Sequence, residues 1–324
     1  MSKDEYLITD APLKALTVFA MPMILGSFFQ QVYNMADSII VGQFVGSSAL
    51  AAVGACAALT NVFICVALGA GVGAGVLVSR YFGARDYGKM KTIVSTSLIS
   101  FLILSIFLGV FGFCFSHLMM SVLQTPADIL NEAVLYLRVY FVGFPFLFMY
   151  NILSTMFTSI GESKIPLALL IFSSMLNILM DLWMVAGLGL GVFGAALATL
   201  IAQGISVVLC LIYIVTKAKI LLPEKRHFEP DRGLYADLLA QGFSMGFMSS
   251  IIYVGSIVLQ PGINSLGYET IAGHTAARKL FSFSMMPLSS MAQAVNTYVA
   301  QNRGADNRER VHKGIRYAYL FCFS

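Results

Sequence analysis

The sequence predicts an all-α polytopic membrane protein built from two six-helix lobes in parallel repeat. Three observations indicate this class: a composition too apolar for water, long apolar segments along nearly the whole chain, and an internal repeat. Of 324 residues, 58% are hydrophobic and 11% are charged, and the mean hydropathy is +0.82. Soluble proteins carry about 25% charged residues, so lipid must be the main solvent of this chain.

Apolar segments of about twenty residues are typical of transmembrane helices. Short polar or glycine-rich breaks separate them, and the first segment is too long for a signal peptide, so we expect it to be retained. The predicted helices cover 13–40, 49–79, 92–116, 129–157, 165–186, 192–216, 235–260 and 270–299, and a ninth begins near 314. Because the chain ends inside the ninth segment, we expect it to be part of a longer protein.

Lysine and arginine set the expected orientation, because basic residues are retained in cytoplasmic loops. All but three of the 20 Lys and Arg lie before the first helix or in alternate loops. The exceptions are Arg138, Arg278 and Lys279, inside predicted helices four and eight. We therefore expect a multi-pass protein with a cytoplasmic N-terminus.

An internal repeat relates the two parts of the chain. At an offset of 221 residues, the segment beginning at Gly46 aligns with the one beginning at Gly267, and Gly83-Ala84 aligns with Gly304-Ala305. Six predicted helices separate the copies, so both have the same orientation, and the complete protein should have about twelve helices with a substrate path between its lobes. The alternative is a chance match among Gly and Ala. The predicted divisions are an N-terminal lobe (1–217), a cytoplasmic connector (218–234) and the start of a C-terminal lobe (235–324).

Charge and cysteine usage exclude other classes of protein. The net charge of +4 is spread over short loops, so the chain offers no basic surface for nucleic acid. The cysteines have neither disulfide-framework nor metal-ligand spacing; they are Cys56, Cys65, Cys114, Cys210 and Cys322.

Two acidic residues carry the functional hypothesis, because a carboxylate at membrane depth is costly and marks a functional site. Asp37 lies in predicted helix one, one turn after Tyr33, and Asp181 lies in helix five, four residues after Asn177 and on the same face. At about 1.5 Å per residue, Thr199 of helix six reaches the level of Asp181. Such oxygens could exchange a proton or ligate a dehydrated sodium ion. The simpler alternative is that Asn177 and Thr199 only join helices and that Asp37 caps a helix.

Three prolines are candidate bends within predicted helices: Pro22 in helix one, Pro145 in helix four and Pro287 in helix eight. Proline removes a helical hydrogen bond and bends the helix. Each bend is either a hinge or an adjustment of packing, and the sequence leaves both interpretations open.

The pattern of these residues resembles the N-terminal lobe of the multidrug and toxic compound extrusion (MATE) transporters, in their bacterial DinF-like or MepA-like branch. The residues that carry the resemblance are Pro22, Asp37, the N-x-x-x-D pair Asn177 and Asp181, and Thr199 in GAALATLIAQ. The resemblance implies two six-helix lobes around a V-shaped cleft. It also implies export of small amphipathic, often cationic compounds in exchange for H⁺ or Na⁺.

The same resemblance implies a cation site, which could take Na⁺. Its residues would be Asp37, Asn177, Asp181 and Thr199, with Tyr33 and the backbone around Ala195 close by. We expect no cofactor beyond the coupling ion. We also expect the protein to be a monomer in the inner membrane of a bacterium and to bind no nucleic acid.

Two other functions are weighed against this one. A lipid-linked oligosaccharide flippase of the same superfamily would need a basic cleft, which Arg278 and Lys279 could supply, but the two acids favour cation exchange. An intramembrane aspartyl protease would need a G-x-G-D segment, and the GLGLG run at 187–191 contains no acid.

Overall fold

A computed structural model describes residues 5–123, 125–229, 231–242, 244–245, 247–248, 251 and 268–323. In these ranges the chain is helical and forms no strand, so the predicted all-α class is confirmed. The α-helices are α1 (Tyr6–Thr9), α2 (Pro12–Phe44), α3 (Ser47–Gly83), α4 (Tyr87–Val122), α5 (Ala127–Val142), α6 (Phe144–Ser159), α7 (Lys164–Asp181), α8 (Gly191–Thr216), α9 (Tyr268–Gly304) and α10 (Arg308–Phe323). A π-helical turn, Leu182–Gly187, follows α7, two 3₁₀ turns, Lys219–Leu221 and Lys225–Phe228, follow α8, and residues 232–242 are also helical.

Several helices have the length and composition of membrane spans. Among the described residues there are five, within α2, α3, α4, α7 with its π turn, and α8, and a sixth if the bent pair α5 and α6 is one span. Helix α9 has 37 residues and packs against α2, α3 and α10, but Ser, Gln and Asn make it more polar than these spans. Half of predicted helix seven (235–260) and the repeat position Gly267 lie outside the described residues.

Helix α4 shows how the bundle is suited to lipid. Its buried face carries small residues, including Ser105, Gly109 and Ser116. Its outward face exposes large apolar side chains, with Phe107 at 65% and Leu118 at 57% exposure. Small residues between helices and apolar ones outside are the arrangement of membrane bundles, so the exposed face of α4 suits contact with hydrocarbon.

The bend that Pro145 predicts in helix four is confirmed, whereas the predicted start of the last helix was wrong. Predicted helix four (129–157) is two helices, α5 and α6, bent by 49° at Gly143, because Pro145 in the first turn of α6 begins a new helix rather than continuing the old one. The last helix begins at Arg308 instead of near 314. Asn307 Oδ1 caps it by accepting a hydrogen bond from the Arg310 backbone N–H at 3.2 Å, so the charged residues form its first turns.

The other two prolines lie inside continuous helices. Pro22 is within α2 and Pro287 is within α9. A hinge role for Pro22, Pro145 or Pro287 therefore stays a prediction.

One end of the bundle, here called the basic end, gathers the turns that follow α3, α8 and α9. Lys91 of α4 pairs there with Glu224 beside the 3₁₀ turns, with 3.3 Å between Nζ and Oε1. Helices α3 and α9 touch backbone to backbone at this end. A Cβ atom on Gly83 would overlap the carbonyl oxygen of Gln301, so glycine is required for this approach.

Candidate functional site: a carboxylate pair

Asp181 is the last residue of α7 and is completely buried. The chain then widens into the π-helical turn Leu182–Gly187 before α8 begins at Gly191. Single π turns are frequent at functional sites, and this one follows the acid directly. Gly189 and Gly191 reverse the chain with φ angles of +66° and +55°, so α8 returns alongside α7.

Asn177 connects Asp181 to α8. The amide is oriented by its neighbours, because the reverse orientation would set its oxygen against a carboxylate oxygen. Asn177 Nδ2 donates to Asp181 Oδ2 at 2.8 Å, and Asn177 Oδ1 accepts from the Thr199 backbone N–H at 3.0 Å. The Thr199 hydroxyl donates to the Ala195 carbonyl oxygen at 3.1 Å. Asn177 is 2% exposed, so this network lies inside the bundle.

Helix α2 brings the second acid to the same place. The side chains of Asp37 and Asp181 lie close enough to interact directly, and Tyr33 lies beside Thr199. Two carboxylates this close repel each other when both are charged, so such a pair favours a bound proton or cation. The structure therefore brings together the six residues that the sequence grouped: Tyr33, Asp37, Asn177, Asp181, Ala195 and Thr199.

The donor set of this pair suits a proton or a hard cation. In the described part of the chain, no three His, Cys, Asp or Glu side chains form a metal cluster, so the site consists of two carboxylates with amide, hydroxyl and carbonyl oxygens. No described group donates a hydrogen bond to the buried Asp181 Oδ1. Oxygen ligands of this kind are those that hard cations take, so the residues fit H⁺ and Na⁺ alike.

A cavity of about 50 Å³ adjoins Tyr33, Asn177 and Thr199, the residues around the pair. A cavity needs about 10–15 Å³ to hold one water molecule, so this cavity has room for a few water molecules. Beyond the predicted residues, its lining includes Gln30, Tyr150, Ser173, Ser174, Gln203 and Ser206. The sequence analysis missed these, although Ser174 lies seven residues before Asp181 and Gln203 four after Thr199, which are the spacings of one helical face.

The remaining sequence candidates lie elsewhere. Arg138 donates from Nε to Ser116 Oγ at 3.1 Å and stacks over Phe113. Arg278 is exposed on α9, and nothing is described of the Lys279 side chain. The four described cysteines, Cys56, Cys65, Cys114 and Cys210, are free.

Membrane-length helices around a buried polar site define a multi-pass membrane transport protein. The chain belongs to the MatE family, whose model matches residues 22–183 and 245–324. The predicted resemblance is thereby confirmed, and the family is one of transporters rather than enzymes.

Individual relatives and a solved structure support the same family assignment. The "Probable multidrug resistance protein YpnP" of Bacillus subtilis is 30% identical over 302 residues, which is 92% of this chain and 67% of that protein. The "Multidrug export protein MepA" of Staphylococcus haemolyticus is 26% identical over 93% of this chain and 67% of its own length. A crystal structure of MATE in the bent conformation, 26% identical, superposes with a TM-score of 0.93 over 100% of this chain and 72% of that one.

Proposed function

We propose that this protein is a secondary active multidrug efflux transporter, which exports small amphipathic, often cationic compounds in exchange for H⁺ or Na⁺. The observation that carries the proposal is the pairing of half-buried Asp37 with buried Asp181 in a member of the MatE family. The names of the relatives, a multidrug resistance protein and a multidrug export protein, support the same substrate class.

Each residue of the pair has a distinct part in this mechanism. Asp181 is fixed by Asn177, whereas Asp37 is held by α2, which also contacts α9 and α10. A cation bound between the two acids therefore joins α7 to α2. Losing the cation leaves two like charges in contact, which favours separation of the helices. A cationic substrate would relieve the same repulsion, so substrate and coupling ion compete and exchange follows.

The proposed setting is the inner membrane of a bacterium, with the N-terminus and the basic end in the cytoplasm. The loop basic residues support this orientation, since Arg85, Lys91 and Arg226 all lie at the basic end. We propose a monomer in the bilayer with no cofactor other than the coupling ion.

The flippase alternative would need cationic groups around the substrate path. The cavity beside the pair is lined by hydroxyl, amide and apolar side chains, and the exposed Arg278 does not line it. Neutral and acidic surroundings suit a cationic substrate better than an anionic lipid headgroup.

Counterflow of a cationic dye in proteoliposomes of the full-length protein, with pH and sodium gradients imposed separately, tests the proposal. One gradient should drive uptake against the dye concentration, and Asp181→Asn should abolish it. The matched control is Asp86→Asn, because Asp86 caps α4 at the surface. Gradient-driven transport by Asp181→Asn equal to wild type would remove the pair from the mechanism.

A further inference from the structure

The N-terminal segment before α2 contacts both parts of the bundle at the basic end. On one side, Glu5 Oε2 lies 2.7 Å from Arg85 Nη2 in the turn between α3 and α4. The Tyr6 hydroxyl donates to the Gly161 carbonyl oxygen, in the turn between α6 and α7, at 2.8 Å. These contacts attach the segment to the part of the bundle formed by α3, α4, α6 and α7.

On its other side the same segment is held by α9 and α10. Arg310 Nη2 donates to the carbonyl oxygens of Leu7 at 3.1 Å and Asp10 at 2.6 Å. Arg310 Nε donates to Asn302 Oδ1 at 2.9 Å, and Asn302 Nδ2 donates to the Leu7 carbonyl oxygen at 3.0 Å. One guanidinium thus joins α1, α9 and α10.

These contacts are partly buried and are backed by apolar packing. Leu7 and Asn302 are completely buried, and the Arg310 guanidinium lies 6.0 Å from the Tyr298 ring centroid. Leu7, Leu16 and Phe19 pack against Met291 and Ala294 of α9. Hydrogen bonds to a charged donor are stronger than neutral ones, so the segment holds the two parts of the bundle together.

We propose that residues 5–10 form a latch that keeps the basic end closed, held on one side by Arg310 and on the other by Glu5 and Tyr6, so that the end opens only when one of the two sides is released. The inference rests on the proposed transport function only in that such a protein must open at this end. Helix α9 cannot move away from α3 while both sides of the latch are engaged. Opening therefore breaks either the Arg310 contacts or those of Glu5 and Tyr6.

A cysteine reporter of opening tests the latch without any substrate, so its outcome is independent of whether drug transport is observed. Thr158 is half-buried and lines a cavity between α3, α6 and α9. Labelling of Thr158→Cys by a membrane-impermeant maleimide is followed in vesicles that expose the basic end, and the chain without the added cysteine gives the blank.

Arg310→Gln should raise the labelling rate about tenfold, because charge-assisted hydrogen bonds that exist only in the closed form are lost. Lys313→Gln is the matched control: Lys313 is one turn away on α10 and pairs with Glu309 of the same helix. Arg310→Lys keeps the charge but lacks the planar guanidinium group that can donate several hydrogen bonds at once, so it should label at an intermediate rate.

Tyr6→Phe releases the opposite side of the latch and should also accelerate labelling. Combining it with Arg310→Gln should add little, since a latch freed at one side is already open, whereas unrelated weakening would multiply the two effects. The proposal is overturned if folded Arg310→Gln labels at the wild-type rate, if Lys313→Gln labels equally fast, or if the two effects multiply. Thermal unfolding of each variant identifies folded protein, and Arg310→Lys replaces Arg310→Gln if the latter unfolds.

Discussion

Gly83 packs against the carbonyl of Gln301, and its repeat partner Gly304 packs against the carbonyl of Arg80. Arg80 and Gln301 are themselves related by the 221-residue offset. The contact between α3 and α9 is therefore reciprocal, as it is across a two-fold axis. A chance alignment of glycines would not set matched residues against each other, so the geometry supports a parallel duplication.

Alanine at either glycine should destabilise this contact. A Cβ atom would meet backbone atoms, which cannot rotate away, so we expect Gly83→Ala and Gly304→Ala each to lower the free energy of unfolding by about 1–3 kcal/mol. Thermal unfolding in detergent measures the loss. Gly54→Ala is the control in the same helix α3, because a Cβ there would meet nothing within 4 Å. Equal stability of Gly83→Ala and Gly54→Ala would contradict the close contact.

Neutralising either acid should uncouple transport while the protein stays folded. Asp181→Asn and Asp37→Asn keep the size of the side chain but cannot release or bind a cation in the same way. Gradient-driven dye uptake measures coupling, and circular dichroism with thermal unfolding checks the fold. Normal gradient dependence in one variant would exclude that residue from the coupling site.

Asn177 should matter for coupling because it orients Asp181. Asn177→Ala removes the donor to Asp181 Oδ2, and we expect gradient-driven uptake to fall about tenfold. Ser174→Ala is the control in the same cavity, because its buried hydroxyl has no described hydrogen-bond partner, so its loss should leave uptake unchanged. Equal losses in both variants would mean that any change in the cavity impairs transport.

Substrate binding should depend on pH if coupling proton and substrate compete for one site. Protonation of the pair removes the negative charge that attracts a cationic dye, so affinity should fall as the pH is lowered from about 9 to about 5. Fluorescence polarisation of the dye measures the curve, and Asp37→Asn should flatten it. The same step retained in both Asp37→Asn and Asp181→Asn would place the coupling group elsewhere.

The orientation of the chain can be tested by labelling single cysteines in intact cells. Arg85→Cys and Arg226→Cys lie at the basic end and should resist an impermeant reagent, because basic loops are retained in the cytoplasm. Leu188→Cys, in the exposed turn between α7 and α8, should react. The opposite pattern would invert the proposed topology.

Most of the fold could be predicted because long apolar segments in lipid can satisfy their backbone only as helices. The bend between α5 and α6 lies in an unbroken apolar run, so hydropathy cannot detect it, but Pro145 predicted it. The helix start that failed depended on polar detail, because the charged start of α10 is helical only with Asn307 as its cap. The α1 helix has four residues, too few for any periodic pattern.

The sequence grouped the acidic site because Asn177 and Asp181 share a helical face and an intramembrane acid is costly. It could not predict that Asp37 and Asp181 touch, because that contact depends on how α2 packs against α7. It also missed the contacts of Arg310, whose acceptors are main-chain carbonyls. Backbone acceptors carry no residue-type signal, so only the fold places them.

The main-chain acceptors on Arg310 also limit how this part of the protein can evolve. The carbonyl groups of Leu7 and Asp10 remain in place whatever side chains occupy those positions. Neutral drift at position 10 therefore leaves the guanidinium contact intact, whereas loss of arginine at position 310 cannot be compensated by a new residue at either acceptor. Among homologues, position 310 should vary less than position 10, and the two should show no correlated substitution.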